Sequence, residues 1–261
     1  MSGPLDPTFD VSGRVIVLTG AGGKIGRTLV KALTERGARL VLVDLDPETL
    51  EGFADRSQGH AIVAADVSDP RDVTRILEVT LETHQRVDVL INNHQYKPDG
   101  SWDVNAEDFP LEAWKQVIDV NLTGTFLMCR DFGRQMLAQG RGSIVNLAST
   151  YGVVSSNPGL YSDNTYGNPV AYSASKGGVV MLTKYLGAHW AGRGVRVNCL
   201  SPHGVIGRAD DGFVNRFSSM SPMGRPMLPE EIVGAVLFLA SDASSYATGT
   251  NLLVEGGWTA W

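Results

Sequence analysis

The chain has 261 residues, of which 43% are hydrophobic and 19% charged, a balance that excludes disordered and fibrous proteins. Its 22 basic and 28 acidic residues give a formal charge of -6, so neither nucleic acid nor an anionic membrane is an expected partner. Cys129 and Cys199 lie far apart without CxxC spacing, which favours a reducing cytoplasm over a disulfide framework. We expect no export signal, because residues 1–10 lack a basic start followed by an apolar block.

Short apolar runs rich in β-branched residues predict about seven buried strands, and longer segments with helical spacing alternate with them. The predicted strands cover 15–18, 40–43, 61–65, 87–91, 144–147, 195–200 and 252–254, and the predicted helices cover 25–36, 73–83, 114–137, 174–190 and 229–240. Strands that recur across helices run parallel. The order therefore predicts a Rossmann-like, doubly wound α/β fold with helices on both faces of the sheet.

One domain over 1–261 accounts for the whole pattern, after a lead-in over 1–13, because no linker or charge block divides the chain. Two stretches break the alternation and are interpreted as loops, an inserted loop at about 151–169 and a substrate loop at 202–229. Both follow predicted strands. Ligands of such sheets bind beyond the carboxyl ends of the strands, so both loops are expected to border the site.

A glycine-rich turn follows the first predicted strand and opens a helix, from Thr19 to Gly26. Glycines let the backbone approach a pyrophosphate, whose charge the helix N-terminus favours. Asp44 closes the second strand where a carboxylate can accept hydrogen bonds from the adenosine ribose, which favours NAD(H) over NADP(H). An ordinary strand-to-helix turn and a surface or capping aspartate remain open as simpler explanations.

Tyr172 and Lys176 stand four residues apart and so project from one face of a helix. A free tyrosine, with a pKa near ~10, is a poor acid or base at neutral pH, and a nearby ammonium stabilises its phenolate. The pair therefore suits proton transfer. The same spacing also arises by chance on a protein surface, so the pair alone does not decide between these interpretations.

With these elements in place, the sequence resembles the classical short-chain dehydrogenase/reductase family over essentially its whole length. The resemblance rests on motifs in the family's order, which are the 9–15 lead-in, the 19–26 turn, Asp66-Val67, Asn92-Asn93, Asn121, Ser149, Tyr172, Lys176, the 198–202 segment and the closing Gly256-Gly257-Trp258. It implies a Rossmann fold, a nicotinamide cofactor and an oxidoreductase that interconverts a secondary alcohol and a ketone.

The resemblance implies roles for four catalytic residues. Tyr172 would exchange a proton with the substrate oxygen, and Ser149 would hydrogen-bond that oxygen. Lys176 would bind the nicotinamide ribose and lower the pKa of Tyr172, and Asn121 would hold a water that joins Lys176 to solvent. Asp66 and Val67 would contact the adenine.

The residues expected to bind the cofactor follow the same resemblance. They are Gly20, Gly22, Gly23, Lys24, Ile25, Gly26, Asp44, Leu45, Asp66, Val67, Asn92, Tyr172, Lys176, Pro202, Gly204 and Val205. Lys24 departs from the family, which usually has a glycine there, and its charge opposes the preference set by Asp44. Gly207 replaces a threonine that often holds the carboxamide.

Polar or amphipathic residues cluster in the segments that depart from the family. They are His94, Gln95, Tyr151, Asn157, Tyr161, Asn164, His203 and Arg208. Such donors and acceptors near one mouth favour a sugar-like or polyol substrate. Each one alone is equally compatible with a solvated loop.

Three functions stay open at this point. The first is an NAD(H)-dependent dehydrogenase of a small polar secondary alcohol, and the second is an NADPH-dependent 3-oxoacyl or polyketide ketone reductase. The third is a dinucleotide-binding protein without turnover, which the unusual Lys24, His94 and Gly207 would suit. The family resemblance implies a homotetramer or homodimer with the 114–137 and 174–190 helices in contact, and the histidine spacing indicates no metal site.

Overall fold

A computed structural model describes residues 6–50, 59–98, 104–161, 168–206 and 211–261. Seven strands and seven α-helices lie within these ranges. In chain order they are β1 (Val15–Thr19), α1 (Lys24–Thr34), β2 (Arg39–Asp44), β3 (Ala61–Ala64), α2 (Pro70–His84), β4 (Val89–Asn92), α3 (Leu111–Ile118), α4 (Thr125–Gln139), β5 (Gly142–Leu147), α5 (Val170–Trp190), β6 (Val195–Pro202), α6 (Asp211–Met220), α7 (Val233–Ala240) and β7 (Asn251–Val254).

The strands form one parallel sheet in the order β3-β2-β1-β4-β5-β6-β7. In the register of β1, Val17 faces Val41 of β2 on one side and Leu90 of β4 on the other. The chain winds outward from β1 in both directions, so the switch point lies between β1 and β4. The predicted doubly wound fold is confirmed.

Alternate residues of the central strands point into two different cores, because a strand's side chains alternate between its faces. Ile16 and Leu18 of β1 pack in the core that contains residues of α1 and α7. Val17 of the same strand packs in the core that contains residues of α2, α4 and α5. Burial on both faces explains why the strands read as continuous apolar runs.

The single helix predicted over 114–137 is wrong in one respect, since a π-helical segment at Asp119–Gly124 separates α3 from α4. At the end of this segment, Gly124 packs so closely on Val67 that a Cβ would lie 2.9 Å from Val67 Cγ2. The sequence could not show this break, because a single π-helical turn hardly changes an apolar pattern with a period of about 3.6 residues. Such turns occur often at functional sites.

The loop expected over 202–229 contains a helix, α6, so that prediction is wrong for 211–220. Phe217 anchors this helix as its buried residue. In the 151–169 stretch the structure has short 3-10 turns at Thr150–Gly152 and Pro158–Leu160, while 162–167 lies outside the described residues.

Within the described ranges, the helices are all too short or too polar to cross a membrane.

Candidate active site

A cleft of about 1390 Å³ opens beyond the carboxyl ends of the strands, where the switch point of the sheet predicts a ligand site. At one end it is lined by the glycine-rich turn and Asp44, and at the other by Ser149, Tyr172 and Lys176. The two constellations recognised in the sequence therefore belong to one site.

The glycines of the turn are required by close backbone contacts. Gly20 has a φ of +61°, and a Cβ there would lie 2.9 Å from the Cα of His94. A Cβ on Gly26 would lie 2.2 Å from the carbonyl oxygen of Gly20. The helix α1 begins at the next residue after Gly23, which offers no capping side chain to its free N–H groups. The turn therefore presents a bare, positively polarised helix end to the cleft.

Asp44 ends β2 beside this turn, and its Oδ2 accepts a hydrogen bond of 2.8 Å from the amide of Gly22. Leu45 follows it and is 72% exposed at the rim of the cleft. The Arg27 side chain also reaches this corner, where it donates to the carbonyl oxygens of Gly22 (2.8 Å) and Thr49 (2.7 Å). The Arg27 guanidinium thus lies close to this end of the cleft, although Arg27 itself does not line it.

The side chain of Lys24 extends away from Asp44, toward the segment that follows β6. Its Nζ donates to the carbonyl oxygen of Ile206, which follows β6, whereas Asp44 ends β2 on the opposite side of β1. The expectation that Lys24 offsets the charge of Asp44 is therefore not met in this geometry.

Four further predicted cofactor residues line the cleft between these ends. Asp66 and Val67 follow β3, and the Asp66 carboxylate accepts from the amide (2.9 Å) and hydroxyl (2.6 Å) of Ser68. Across from them, Gly204 and Val205 follow β6. Gly204 has a φ of +55°, and a Cβ there would lie 2.1 Å from the ring of Phe217, so only glycine fits.

Ser149, Tyr172 and Lys176 meet at the far end. Ser149 follows β5 and hydrogen-bonds the phenol of Tyr172 on α5, while its Oγ also accepts from the amide of Tyr151 (3.2 Å). Lys176 Nζ donates to the carbonyl oxygen of Leu147 at 2.8 Å and lies 5.7 Å from the centroid of the Tyr172 ring. A proton donor or acceptor, a hydroxyl and an ammonium therefore converge on one point.

Burial dominates the acid–base properties of this end. It raises the pKa of Tyr172 to about 12, although the hydrogen bond from Ser149 acts in the opposite direction. Burial and, to a lesser extent, the nearby charge of Lys97 lower the pKa of Lys176 to about 7. Desolvation of the phenolate therefore outweighs its neighbours in this structure, and the predicted lowering of the Tyr172 pKa by Lys176 stays a prediction.

Asn121 lies behind the cleft in the π-helical segment, fully buried. Its Oδ1 accepts from the amide of Tyr96 (2.6 Å), and its Nδ2 donates to the carbonyl oxygen of Tyr96 and to Ser175 Oγ, each at 3.2 Å. Asn121 thus holds the segment that follows β4 against α5. Its role in holding a water near Lys176 stays a prediction.

Comparison with known proteins agrees with this geometry. The chain matches a family model described as enoyl-(acyl carrier protein) reductase over residues 20–259. It is 37% identical to D-threitol dehydrogenase of Mycolicibacterium smegmatis, with 98% of this chain and 96% of the relative covered. It is 38% identical to galactitol 2-dehydrogenase (L-tagatose-forming) of Cereibacter sphaeroides, with 97% and 98% covered.

The chain belongs to the short-chain dehydrogenase/reductase family. Among solved structures, the fold matches a short-chain dehydrogenase from Leptospira borgpetersenii with bound NAD+, with a TM-score of 0.88, 30% identity and coverage of 99% and 98% of the two chains. The family named from the motifs is thereby confirmed.

Two predicted site residues, Asn92 and His94, have side chains that hydrogen-bond within the fold. The side chain of Asn92 is 2% exposed and donates to Asn146 Oδ1 at 2.8 Å within the sheet, so the cleft is lined instead by Asn93. His94 is a structural residue, because its ring nitrogens are in hydrogen-bond contact with Thr19 Oγ1 (2.7 Å) and Thr125 Oγ1 (3.2 Å). Because His94 also lines the cleft, its predicted role as a substrate residue stays a prediction.

Four of the other predicted substrate residues line the cleft, namely Gln95, Tyr151, Tyr161 and His203, and Asn157 does not. The phenol of Tyr172 donates to Gln95 Oε1 at 3.3 Å, and the hydroxyls of Tyr151 and Tyr161 are 3.2 Å apart. His203 packs among aromatic rings, 5.0 Å from that of Tyr151 and 4.4 Å from that of Trp258 between centroids. Asn157 Oδ1 accepts from the amide of Gly159. Asn164, Gly207 and Arg208 lie outside the described residues.

Several cleft residues escaped the sequence analysis. Lys97 Nζ lies 4.0 Å from the centroid of the Tyr172 ring, and burial lowers its pKa to about 8. Asn168 and Arg216 also line the cleft, as does Thr49 near Asp44. These positions carry no family motif. The available signals were that Lys97 follows the conspicuous His94-Gln95 departure and that Asn168 precedes Tyr172 by four residues.

Proposed function

We propose that this protein oxidises a secondary alcohol of a small polyol with NAD+ and catalyses the reverse ketone reduction with NADH. The observation that carries this proposal is the arrangement of the cleft. Ser149, Tyr172 and Lys176 converge at one end, and the carboxylate of Asp44 stands at the other beside the glycine-rich turn.

The residues present fit a dinucleotide. Gly20 and Gly26 let the turn pack tightly against neighbouring backbone, where a Cβ atom would collide, and so keep the start of α1 at the cleft. The unfilled N–H groups at the start of α1 favour a phosphate. Asp44 is suited to accept hydrogen bonds from the ribose hydroxyls, and Lys176 and Tyr172 would hold the nicotinamide ribose.

The chain's own residues supply the proton transfer and the orientation, while the bound nicotinamide supplies hydride chemistry. In ketone reduction, Tyr172 would donate its phenolic proton to the carbonyl oxygen while Ser149 hydrogen-bonds the same oxygen. A phenol with a pKa of about 12 is protonated at neutral pH, which suits its role as the proton donor in ketone reduction. In alcohol oxidation Tyr172 would act as the base, so oxidation should speed up as the pH rises.

A polyol substrate is favoured by the polar mouth of the cleft and by the relatives. Gln95, Tyr161 and Asn168 offer hydrogen-bonding groups around the Tyr172 phenol, which a hydroxylated substrate would use. The two relatives described above act, by their names, on threitol and galactitol. Among alcohols, we therefore expect linear polyols rather than apolar ones.

NADP(H) and the ketone reductase hypothesis have one observation in their favour. The guanidinium of Arg27 lies at the same corner as Asp44, within 2.7 Å of the Thr49 carbonyl oxygen. An arginine there can accommodate a 2′-phosphate. If NADPH proves to be the cofactor, Arg27→Met should abolish the preference.

The test is a titration of the protein with NADH and NADPH at fixed ionic strength, followed by nicotinamide fluorescence. We then measure NAD+ reduction with D-threitol, galactitol and glycerol. Preference for NADH with turnover of at least one polyol supports the proposal. Preference for NADPH with reduction of 3-oxoacyl ketones would replace it with the second function. Turnover of apolar ketones alone would reject the polyol substrate.

We further propose that the protein is a homotetramer or homodimer in a reducing cytoplasm. Support comes from large apolar side chains exposed on α4 and α5, with Phe126 43%, Met181 62% and Tyr185 60% exposed. Cys129 and Cys199 are both free and buried, as suits a reducing compartment. Sedimentation of the wild type and of Tyr185→Glu tests the assembly, since a charge in this face should produce smaller species.

A further inference from the structure

The side chain of Asn168 holds a buried hydrogen-bond donor without a partner. Asn168 is 7% exposed, lines the cleft and precedes Tyr172 by four residues. Its Oδ1 accepts from Lys97 Nζ at 3.4 Å, but its Nδ2 has no hydrogen-bond partner among the described residues. An unsatisfied buried donor costs about 1–3 kcal/mol. A cost of this kind in a ligand cleft points to a group that is supplied by the ligand.

Lys97 brings a second donor to the same place. Its Nζ lies 4.0 Å from the ring centroid of Tyr172, and the side chain lines the cleft with Asn168 and Gln95. Gln95 in turn accepts from the phenol of Tyr172 at 3.3 Å. The amide of Asn168 and the ammonium of Lys97 therefore stand beside the point where the reacting oxygen would bind.

We propose that Asn168 and Lys97 form a subsite for the hydroxyl next to the reacting carbinol, so that the enzyme selects vicinal diols over isolated alcohols. Nδ2 of Asn168 and Nζ of Lys97 donate to this hydroxyl oxygen. The inference rests on the proposed alcohol oxidation and adds to it a requirement for a second hydroxyl. A site built to hydrogen-bond a substrate hydroxyl rejects an analogue without it, because its own polar groups then stay unpaired.

A single variant of Asn168 distinguishes a role in substrate binding from a role in folding stability. Leucine has nearly the shape of asparagine and no donor, so Asn168→Leu removes the subsite and the unsatisfied group together. We expect only a small net change in the free energy of unfolding, because the gain from removing the unpaired Nδ2 is offset by the loss of the long hydrogen bond from Lys97 to Oδ1. If Asn168 served only to stabilise the fold, the Asn168→Leu variant would instead have a clearly lower free energy of unfolding.

The experiment compares kcat/KM for butane-2,3-diol and for butan-2-ol, each with NAD+. We expect the wild type to favour the diol by at least about tenfold, the effect of one or two hydrogen bonds, and Asn168→Leu to lose about tenfold on the diol with little change on butan-2-ol. Asn215→Leu is the matched control, because Asn215 is exposed on α6 and does not line the cleft.

Three further variants keep the proposal open to refutation. Lys97→Met should also lower the diol preference, and Lys115→Met on the exposed face of α3 should not. Asn168→Ser serves if the leucine variant does not bind NADH. An equal diol preference in the wild type and Asn168→Leu would overturn the inference while alcohol oxidation stands. Failure of the wild type to oxidise either alcohol or any polyol would overturn the proposed function itself.

Discussion

At the scale of single residues, we propose that the carboxylate of Asp44 is the group that separates NAD from NADP. It accepts from the amide of Gly22 and so is held at the ribose end of the cleft. A negative charge there repels the 2′-phosphate of NADP, and the same oxygens suit the two ribose hydroxyls of NAD. The preference for NAD over NADP would thus depend on the charge of the Asp44 carboxylate, which the Gly22 amide holds in place.

Asp44→Asn should reverse the preference. NADH loses charge-assisted hydrogen bonds, and NADPH is freed from a like-charge repulsion, so the ratio of NADPH to NADH affinity should rise on the order of 100-fold. Fluorescence titration of both nucleotides measures it. Asp46→Asn is the control, because Asp46 carries the same charge two residues further along and does not line the cleft. Equal ratios in the two variants would show that the Asp44 charge does not select the cofactor.

Residue types in ordered motifs made most of the site predictable, and contacts across the fold made the rest unpredictable. Ser149, Tyr172 and Lys176 meet in the cleft as expected. The surroundings of His94 and Lys97 depend instead on the direction in which each side chain points, which the sequence does not show. His94 looks like a polar ligand in sequence, yet Thr19 and Thr125 flank it on both sides in the interior.

At the scale of elements, the start of α1 is the proposed phosphate site, and its geometry depends on Gly26. A Cβ on Gly26 would lie 2.2 Å from the Gly20 carbonyl oxygen and 2.6 Å from that of Ala21. Both are backbone atoms of the turn itself. A methyl group would therefore push the glycine-rich turn away from the helix.

Gly26→Ala should lower both stability and NADH affinity, with a cost of about 1–3 kcal/mol in the free energy of unfolding. Gly234→Ala makes the same chemical change in α7, where a Cβ would meet no atom within 4 Å. That variant should gain about 0.5–1 kcal/mol from helix propensity. Urea unfolding measures both. A Gly26→Ala protein as stable as Gly234→Ala would contradict the close contact.

Element type and order followed from hydrophobic periodicity, whereas breaks within elements did not. The apolar runs of β1 and β2 are buried on both faces, so their pattern was clear. The π-helical Asp119–Gly124 segment depends on contacts of Asn121 with Tyr96 and of Gly124 with Val67. These partners are distant in sequence. Local periodicity therefore carries no information about them.

At the scale of the whole molecule, buried neutral histidines set the response to acid. Burial lowers the pKa of His203 to about 4, and burial together with the charge of Lys176 lowers that of His94 to about 3. In the unfolded chain both would titrate near about 6.5. Between these values the unfolded state binds more protons than the folded state, so stability is lost as the pH falls below about 6.5.

His203→Phe should remove part of this acid sensitivity. Its ring can stay within the aromatic cluster around Phe217 and Trp258, and it does not titrate. The wild type should lose about 3 kcal/mol more than the variant between pH 7 and pH 4. Urea unfolding at several pH values gives the difference, with His189→Phe, an exposed site on α5, as the control. Parallel pH curves for the wild type and His203→Phe would contradict the expected role of burial.

The most direct test of the whole assignment is the rate of NAD+ reduction with D-threitol, galactitol and glycerol, measured for the wild type and Tyr172→Phe. We expect the wild type to oxidise at least one of them. Loss of the phenolic hydroxyl should slow this reaction by about 100-fold or more, while NADH affinity falls by no more than about tenfold, the effect of one hydrogen bond to the nicotinamide ribose. A Tyr172→Phe protein that keeps wild-type turnover, or a wild type that binds NADH and oxidises no polyol, would contradict the assignment.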